Sequence, residues 1–273
     1  MYAPGLRILA LVFVLAACGG SSRSTFARYP GAPVAFDRTT SKPEALAVAD
    51  KVIAAHGGEA AWANAKQIRF RQAIEKDGKV LVSGSHAWDR WNARHWAELD
   101  RDDGNNTGVM YEIYGDYSSG YILSKSGSKQ PVPPAEVRQA VALSRQAWQR
   151  DTTILLAPFL MEEPGSKVDL IGDIKDDSTG QIYTGLKLTF DPKDPARAGL
   201  TVNLYVDQTT FLVGRIELLI GADTFAYTLG NYQTAGGLKL ATERKNLGSG
   251  ETVILTDVKV GSPDDDLYIA PVS

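Results

Sequence analysis

Cysteine occurs once in these 273 residues, as Cys18, and histidine three times, at positions 56, 86 and 95. A lone cysteine cannot close an internal disulfide, so the fold must be stable through its core. Beyond the N-terminus no stretch approaches the roughly 18 apolar residues of a membrane-spanning helix. Excess positive charge is missing as well: 29 Lys and Arg stand against 32 Asp and Glu, a net of −3, which argues against nucleic acid as a partner and against a polybasic membrane patch. No G-x-S-x-G occurs and no Ser–His–Asp set can be placed. The glycine-rich "GSGET" at 248–252 lies between strands and opens no helix, so it is no phosphate cradle. "SPDDDLY" at 262–268 lacks the oxygen spacing of a calcium loop and reads as a solvated acidic turn. There is no repeat of fixed length, which argues against a propeller or solenoid. No cofactor is expected.

What the chain does have begins at its N-terminus. Arg7 is followed by an unbroken apolar run over 8–17 and then by Cys18. Ten helical residues reach about 15 Å, half a bilayer core. That suits the apolar region of a signal peptide better than a span. "LAAC" at 15–18 resembles the lipobox of bacterial lipoproteins. The resemblance implies that Cys18 is the lipid attachment site, with cleavage just before it. The thiolate is the nucleophile such alkylation needs, and two or three acyl chains hold firmly where one holds marginally. Residues 1–17 are thus read as signal peptide. Removing Arg7 leaves 28 cations against 32 anions, a net of −4. By the same resemblance Gly19 favours the outer membrane, the protein facing the periplasm or the outside.

Residues 18–43 are rich in Gly, Ser, Pro and Thr without a period and read as a lipidated tether. Over the 25 residues 19–43 its extended reach is about 80 Å. A single domain follows over 44–273. "EALAVADKVIAAH" places Leu46, Ala49, Val52, Ile53 and His56 at helical spacing, and Gly57–Gly58 stop the helix. A short helical turn carrying Trp62 follows. Ile68, Phe70, Gln72 and Ile74 then alternate with charged residues, and Asp77–Gly78 mark a hairpin. A second helical pattern runs from Pro134, with Val137, Val141, Ser144 and Trp148 on one face. About 12 strands at short spacing make the chain mainly β, with an α+β character. An antiparallel sheet of that length must curl. Its apolar face would be covered by the helical segments 44–65 and 134–160, giving an incomplete barrel with an apolar cleft.

"AAHGGEAAW", the mid-chain "TTILLAPFL", "LYVDQTTFLVGRIEL" and "GNYQTAGGLKLATE" together resemble the outer-membrane lipoprotein-sorting superfamily, the LolA/LolB-like proteins, over roughly 44–270. The resemblance implies an unclosed β-barrel with helices as a lid over a hydrophobic cavity. It also implies a ligand such as a lipoprotein acyl chain, or a protein partner in the envelope. The carrier in that family is soluble, whereas this chain carries an anchor signal.

The candidate contacts to an apolar ligand are Trp88, His95, Trp148 and Phe159. If Arg90 and Trp91 form a hairpin tip, His86 and His95 stand directly opposite on one face, about 5 Å apart. A metal site needs a third or fourth ligand, and none is apparent, so no metal is assigned. A plain cross-strand pair and a contact to ligand both remain open for them. His56 is expected to cap its helix. The tryptophans at 62, 88, 91, 96 and 148 line a cavity or fill the core. The expected function is non-catalytic: an envelope lipoprotein holding an acyl chain or other hydrophobic ligand. The alternative is a tethered scaffold or regulator that binds a protein partner.

Overall fold

The computed structural model describes residues 28–176 and 179–269; Cys18 and the signal region lie outside them. Two helices open the domain, α1 (Pro43–Ala55) and α2 (Gly58–Asn64). Six strands follow: β1 (Gln67–Lys76), β2 (Lys79–Asp89), β3 (Arg94–Asp100), β4 (Asn106–Glu112), β5 (Ser118–Leu123) and β6 (Lys129–Pro131). Helix α3 (Pro134–Leu160) leads to β7 (Ser166–Lys175), β8 (Ile182–Phe190), β9 (Leu200–Asp207) and β10 (Val213–Ile220). The chain closes with β11 (Asp223–Ala235), β12 (Leu238–Asn246) and β13 (Thr252–Gly261).

All 13 strands form one antiparallel sheet in the order β6-β5-β4-β3-β2-β1-β13-β12-β11-β10-β9-β8-β7. The first and last strands meet in its middle. The free edges, β6 and β7, are the strands that flank α3 in sequence. A 27-residue helix is about 40 Å long, and this one runs across the concave face from one edge to the other. The open half-barrel expected from the strand pattern is therefore present, with α3 inside it.

The first half of α3 is amphipathic, burying Val137, Val141, Ser144 and Trp148 as its spacing predicts. From Asp151 to Leu160 every residue is buried. A helix apolar on all sides is one enclosed on all sides. Its Ile154, Leu156, Phe159 and Leu160 pack with Leu186, Leu188, Val202 and Leu204 of the sheet in one continuous core.

Helix α1 ends where expected. The His56 main-chain N–H donates to Val52 O at 3.1 Å, and its Nδ1 lies 2.8 Å from the same oxygen. The β1–β2 hairpin turns through Asp77 and Gly78, both at positive φ, the geometry that residue pair favours. One expected register is corrected. His95 stands opposite Trp88, and His86 opposite Ala97. The turn holds four residues, Arg90 to Ala93, because the Asp89 carboxylate accepts the Asn92 main-chain N–H at 2.9 Å and the Arg94 guanidinium at 2.5 Å. A shift of two residues preserves the face, so the two imidazoles remain neighbours, diagonally, with ring centroids 5.7 Å apart.

From Arg28 onward the segment expected as a tether lies against the body. Arg28 pairs with Glu163, Tyr29 donates to Asp191 at 2.6 Å, and Ser41 Oγ accepts from Val168 N at 2.9 Å. The acidic turn near the C-terminus also docks: Asp265 pairs with Arg94 at 2.6 Å. Tyr268 and Leu267 cover a small cluster of Ala87, Trp96, Met110 and Tyr121 on the convex face.

Candidate functional site

Strand alternation and α3 together determine which side chains meet inside the half-barrel. On β1 the inward residues include Phe70 and Gln72; opposite them on β2 lie His86 and Gly84. Gln72 donates to Asp151 of α3 at 3.3 Å and accepts from Arg244 of β12 at 3.1 Å. Arg150 donates to both Asp151 oxygens at 3.0 Å. Burial raises the Asp151 carboxyl, but the charges of Arg244 and Arg150 and hydrogen bonds from Arg150 and Gln72 outweigh it, leaving the net pKa below the usual carboxylate range. His86 lies stacked on Phe70. Burial pushes its imidazole down to about 4, with Asp151 opposing and Arg244 assisting. His95 is pushed well below its usual value by burial and then by His86. Burial favours the neutral form of both rings. They are the polar part of a packed core, and among the described residues no group of three or more His, Cys, Asp or Glu could hold a metal.

Among the described residues, two of the spaces that border α3 bear on the site. The smaller, about 20 Å³, is ringed by Trp62, Trp88 and Trp148 with Arg90, Tyr114, Glu163 and Arg197. That is room for about one water molecule. The larger is a cleft of about 210 Å³ between the first half of α3 and the β4–β5 end of the sheet. Its floor is Thr107, Val109, Gly120 and Ile122, and its roof is Val137, Ala140 and Leu143. Gly120 matters here, since a Cβ at that position would come within 3.2 Å of Val137 Cγ2. Arg101 and Glu136 stand at its polar edge. A dry cavity of about 150 Å³ accepts benzene, while drug-sized ligands occupy roughly 300–1,000 Å³. The cleft thus has the volume for a ring or for the end of a chain.

Among the described residues, the larger space between 134–160 and the sheet lies along the first half of α3; along the second half the helix packs closely, beside a void of about 20 Å³. The four candidate contact residues are all buried. Trp88 and Trp148 meet edge-to-face at 5.7 Å and border the small void. Phe159 stacks on Trp62 at 4.9 Å. His95 lies 5.3 Å from the Tyr111 ring, its Nδ1 3.5 Å from Ser144 Oγ. None of the four borders the larger cleft. Val137 apart, its floor and roof went unnoticed in sequence because they come from three separate elements. The glycines inside its strands, Gly108 of β4 and Gly120 of β5, were the local signals of a close approach.

An unclosed antiparallel sheet wrapped on a long helix, with an apolar cleft at one side of that helix, is the class of structure seen here. No protein-family model matches the chain, and no curated protein matches it. Similar solved structures span 82% of this chain. A DUF1329 family protein from Desulfovibrio piger is 13% identical, covered over 97% of its length, with a TM-score of 0.48. A LolA superfamily protein from Nitrosomonas europaea is 14% identical, also covered over 97%, with a TM-score of 0.48. A domain from Vibrio parahaemolyticus named for outer membrane lipoprotein sorting is 10% identical, covered over 96%, with a TM-score of 0.43.

Proposed function

We propose that this protein is a non-catalytic binding protein, tethered through lipid on Cys18 to the periplasmic face of a bacterial outer membrane. It holds the end of an acyl chain or another apolar group in the cleft beneath the first half of α3. The observation that carries the reading is the cleft itself, about 210 Å³ with an apolar floor and roof. A chain end burying about 150 Å² there gains about 4 kcal/mol, less the cost of ordering it. Leu143 in the roof is exposed, so a bound chain would cover apolar surface that otherwise faces water. Native mass spectrometry after mild delipidation tests the reading, and should find a co-purifying lipid or acyl species. Ala140→Trp, which fills the cleft from its roof, should abolish that species while leaving the fold intact. A protein that carries no such species, and binds no alkyl probe, would end the carrier reading.

A specific feature favours a second reading, a tethered scaffold for a protein partner. Strand β7 is a free edge of the sheet, and its Leu170 and Ile171 are exposed. An open edge with apolar side chains accepts a strand from another chain. Under this reading Ile171→Lys would abolish partner capture and leave any lipid content unchanged.

A further inference from the structure

Arg197 sits in the turn between β8 and β9, and its side chain is only 9% exposed. The turn is stapled in place. Asp194 N donates to Asp191 O at 3.0 Å, Ala196 N to Asp194 Oδ1 at 2.9 Å, and Gln149 of α3 donates to Ala196 O at 2.8 Å. This geometry sends the guanidinium inward to the small void. Its carbon lies 5.6–5.8 Å from the ring centres of Trp88, Trp148 and Phe190. Among the described residues the carboxylate within reach is that of Asp194, at 3.9 Å, beyond hydrogen-bond distance. The Nε is buried without a partner, and no guanidinium N–H of Arg197 donates a hydrogen bond to a described residue.

That arrangement leaves one buried donor, Nε, unpaired beside an ion pair of 3.9 Å. Arginine presents five donors and does not give up its proton in proteins, and a buried charge is tolerated when paired and hydrogen-bonded. The neighbouring buried cation, Arg90, differs: it donates to Trp62 O and Ala65 O at 2.9 and 2.7 Å and to Glu163 at 3.1 Å. Glu163 in turn is taken up by Trp62 Nε1 at 2.6 Å and by Arg28. Arg197 is left facing a void of about 20 Å³, which is room for about one oxygen atom of water size.

We propose that Arg197 anchors a binding site for an oxyanion, a carboxylate or phosphate group, one oxygen of which enters the void while the remainder lies at its mouth beside Tyr114. The guanidinium fork matches such groups geometrically, and Trp62, Trp88 and Trp148 wall the void on its apolar sides. The group could be a free anion or the charged end of an amphiphile, and the test separates the two. This site is distinct from the cleft under the first half of α3 and does not depend on it.

The protein is titrated, at constant ionic strength set by chloride, with acetate and inorganic phosphate in one arm. Decanoate and decyl phosphate, below micelle formation, form the other. Tryptophan fluorescence and the thermal midpoint are read. A saturable response is expected, weakened about tenfold or more by Arg197→Gln and less by Arg197→Lys, because charged hydrogen bonds carry the affinity. Far-UV circular dichroism in chloride alone checks that both variants fold. Saturation by all four probes identifies a free oxyanion site, and saturation by the amphiphiles alone identifies a charged lipid end. Absence of saturation in the unaltered protein overturns the proposal whatever the variants do, as does an equal response in a folded Arg197→Gln.

Discussion

Arg244 of β12 donates from Nη1 to the main-chain oxygen of Asp151 at 3.1 Å, with the Asp151 carboxylate 3.7 Å away. Asp151 is the residue at which α3 passes from amphipathic to fully enclosed. The contact therefore fastens the middle of the sheet to the point where the helix enters the core.

Removing one partner of a buried charged pair leaves the other uncompensated. Arg244→Met is expected to destabilise the protein by about 3 kcal/mol, read from urea denaturation midpoints at unchanged m-value. Arg150 still pairs with Asp151 at 3.0 Å, which keeps the loss from being larger. A loss below about 1 kcal/mol would mean that the pair does not fasten the helix.

Acid should weaken the fold well above the carboxylate range. Burial lowers His56 and His86 from 6.5 to about 4 and also lowers His95 well below its usual value. Each is neutral in the folded protein, and the unfolded chain binds more protons below pH 6.5. Their contribution is complete above that value and is lost as pH falls from 6.5 toward 4. Near pH 5 each histidine adds up to about 1.4 kcal/mol per pH unit to the slope of stability. The lowered carboxyl of Asp151 adds its loss only at lower pH. Denaturation at several pH values should show this slope, and His86→Phe should remove about one proton from it. A flat profile between pH 6.5 and 4.5 would contradict the buried, neutral assignment.

The pair Gly57 and Gly58 separates backbone strain from collision. Both have positive φ, +121° and +82°. A Cβ on Gly58 meets nothing within 4 Å, whereas one on Gly57 would lie 2.1 Å from Gly237 O in the β11–β12 turn. Gly58→Ala should cost about 1–2 kcal/mol, the price of the strained φ alone. Gly57→Ala should cost clearly more, because it also forces α1 away from the turn and threatens the bond from Lys239 N to His56 O at 2.7 Å. Thermal denaturation of the two variants side by side checks the order.

The anchor is tested directly. Cys18→Ser should abolish incorporation of labelled palmitate and release the protein from the membrane fraction. Persistence of the label in that variant would remove the lipid attachment from the proposed function.

Much of the architecture was legible because it follows from local periodicity. Helix α3 begins at Pro134 and ends at Leu160 as the pattern predicts. The Asp77–Gly78 hairpin falls where its turn chemistry demands. Ile68, Phe70 and Gln72 of β1 are buried on alternate positions. The β2–β3 register was misplaced by two residues because the Asp89 carboxylate, hydrogen-bonded across the turn, sets the tip length. No propensity reports that bond. Arg197 passed unnoticed because nothing in "DPKDPARAG" distinguishes an inward arginine from a solvated one.

By itself the sequence determined the element types, the face each strand buries and the need for the sheet to curl, since all three depend on spacing along the chain. It also carries, at Cys18, the pattern that resembles a lipid-anchor signal. Only the tertiary structure decided where α3 fills the half-barrel and where it leaves room. Volume depends on how side chains from distant segments interlock: Val109, Gly120 and Ala140 leave a cleft, while Trp62, Trp88 and Trp148 nearly close a void.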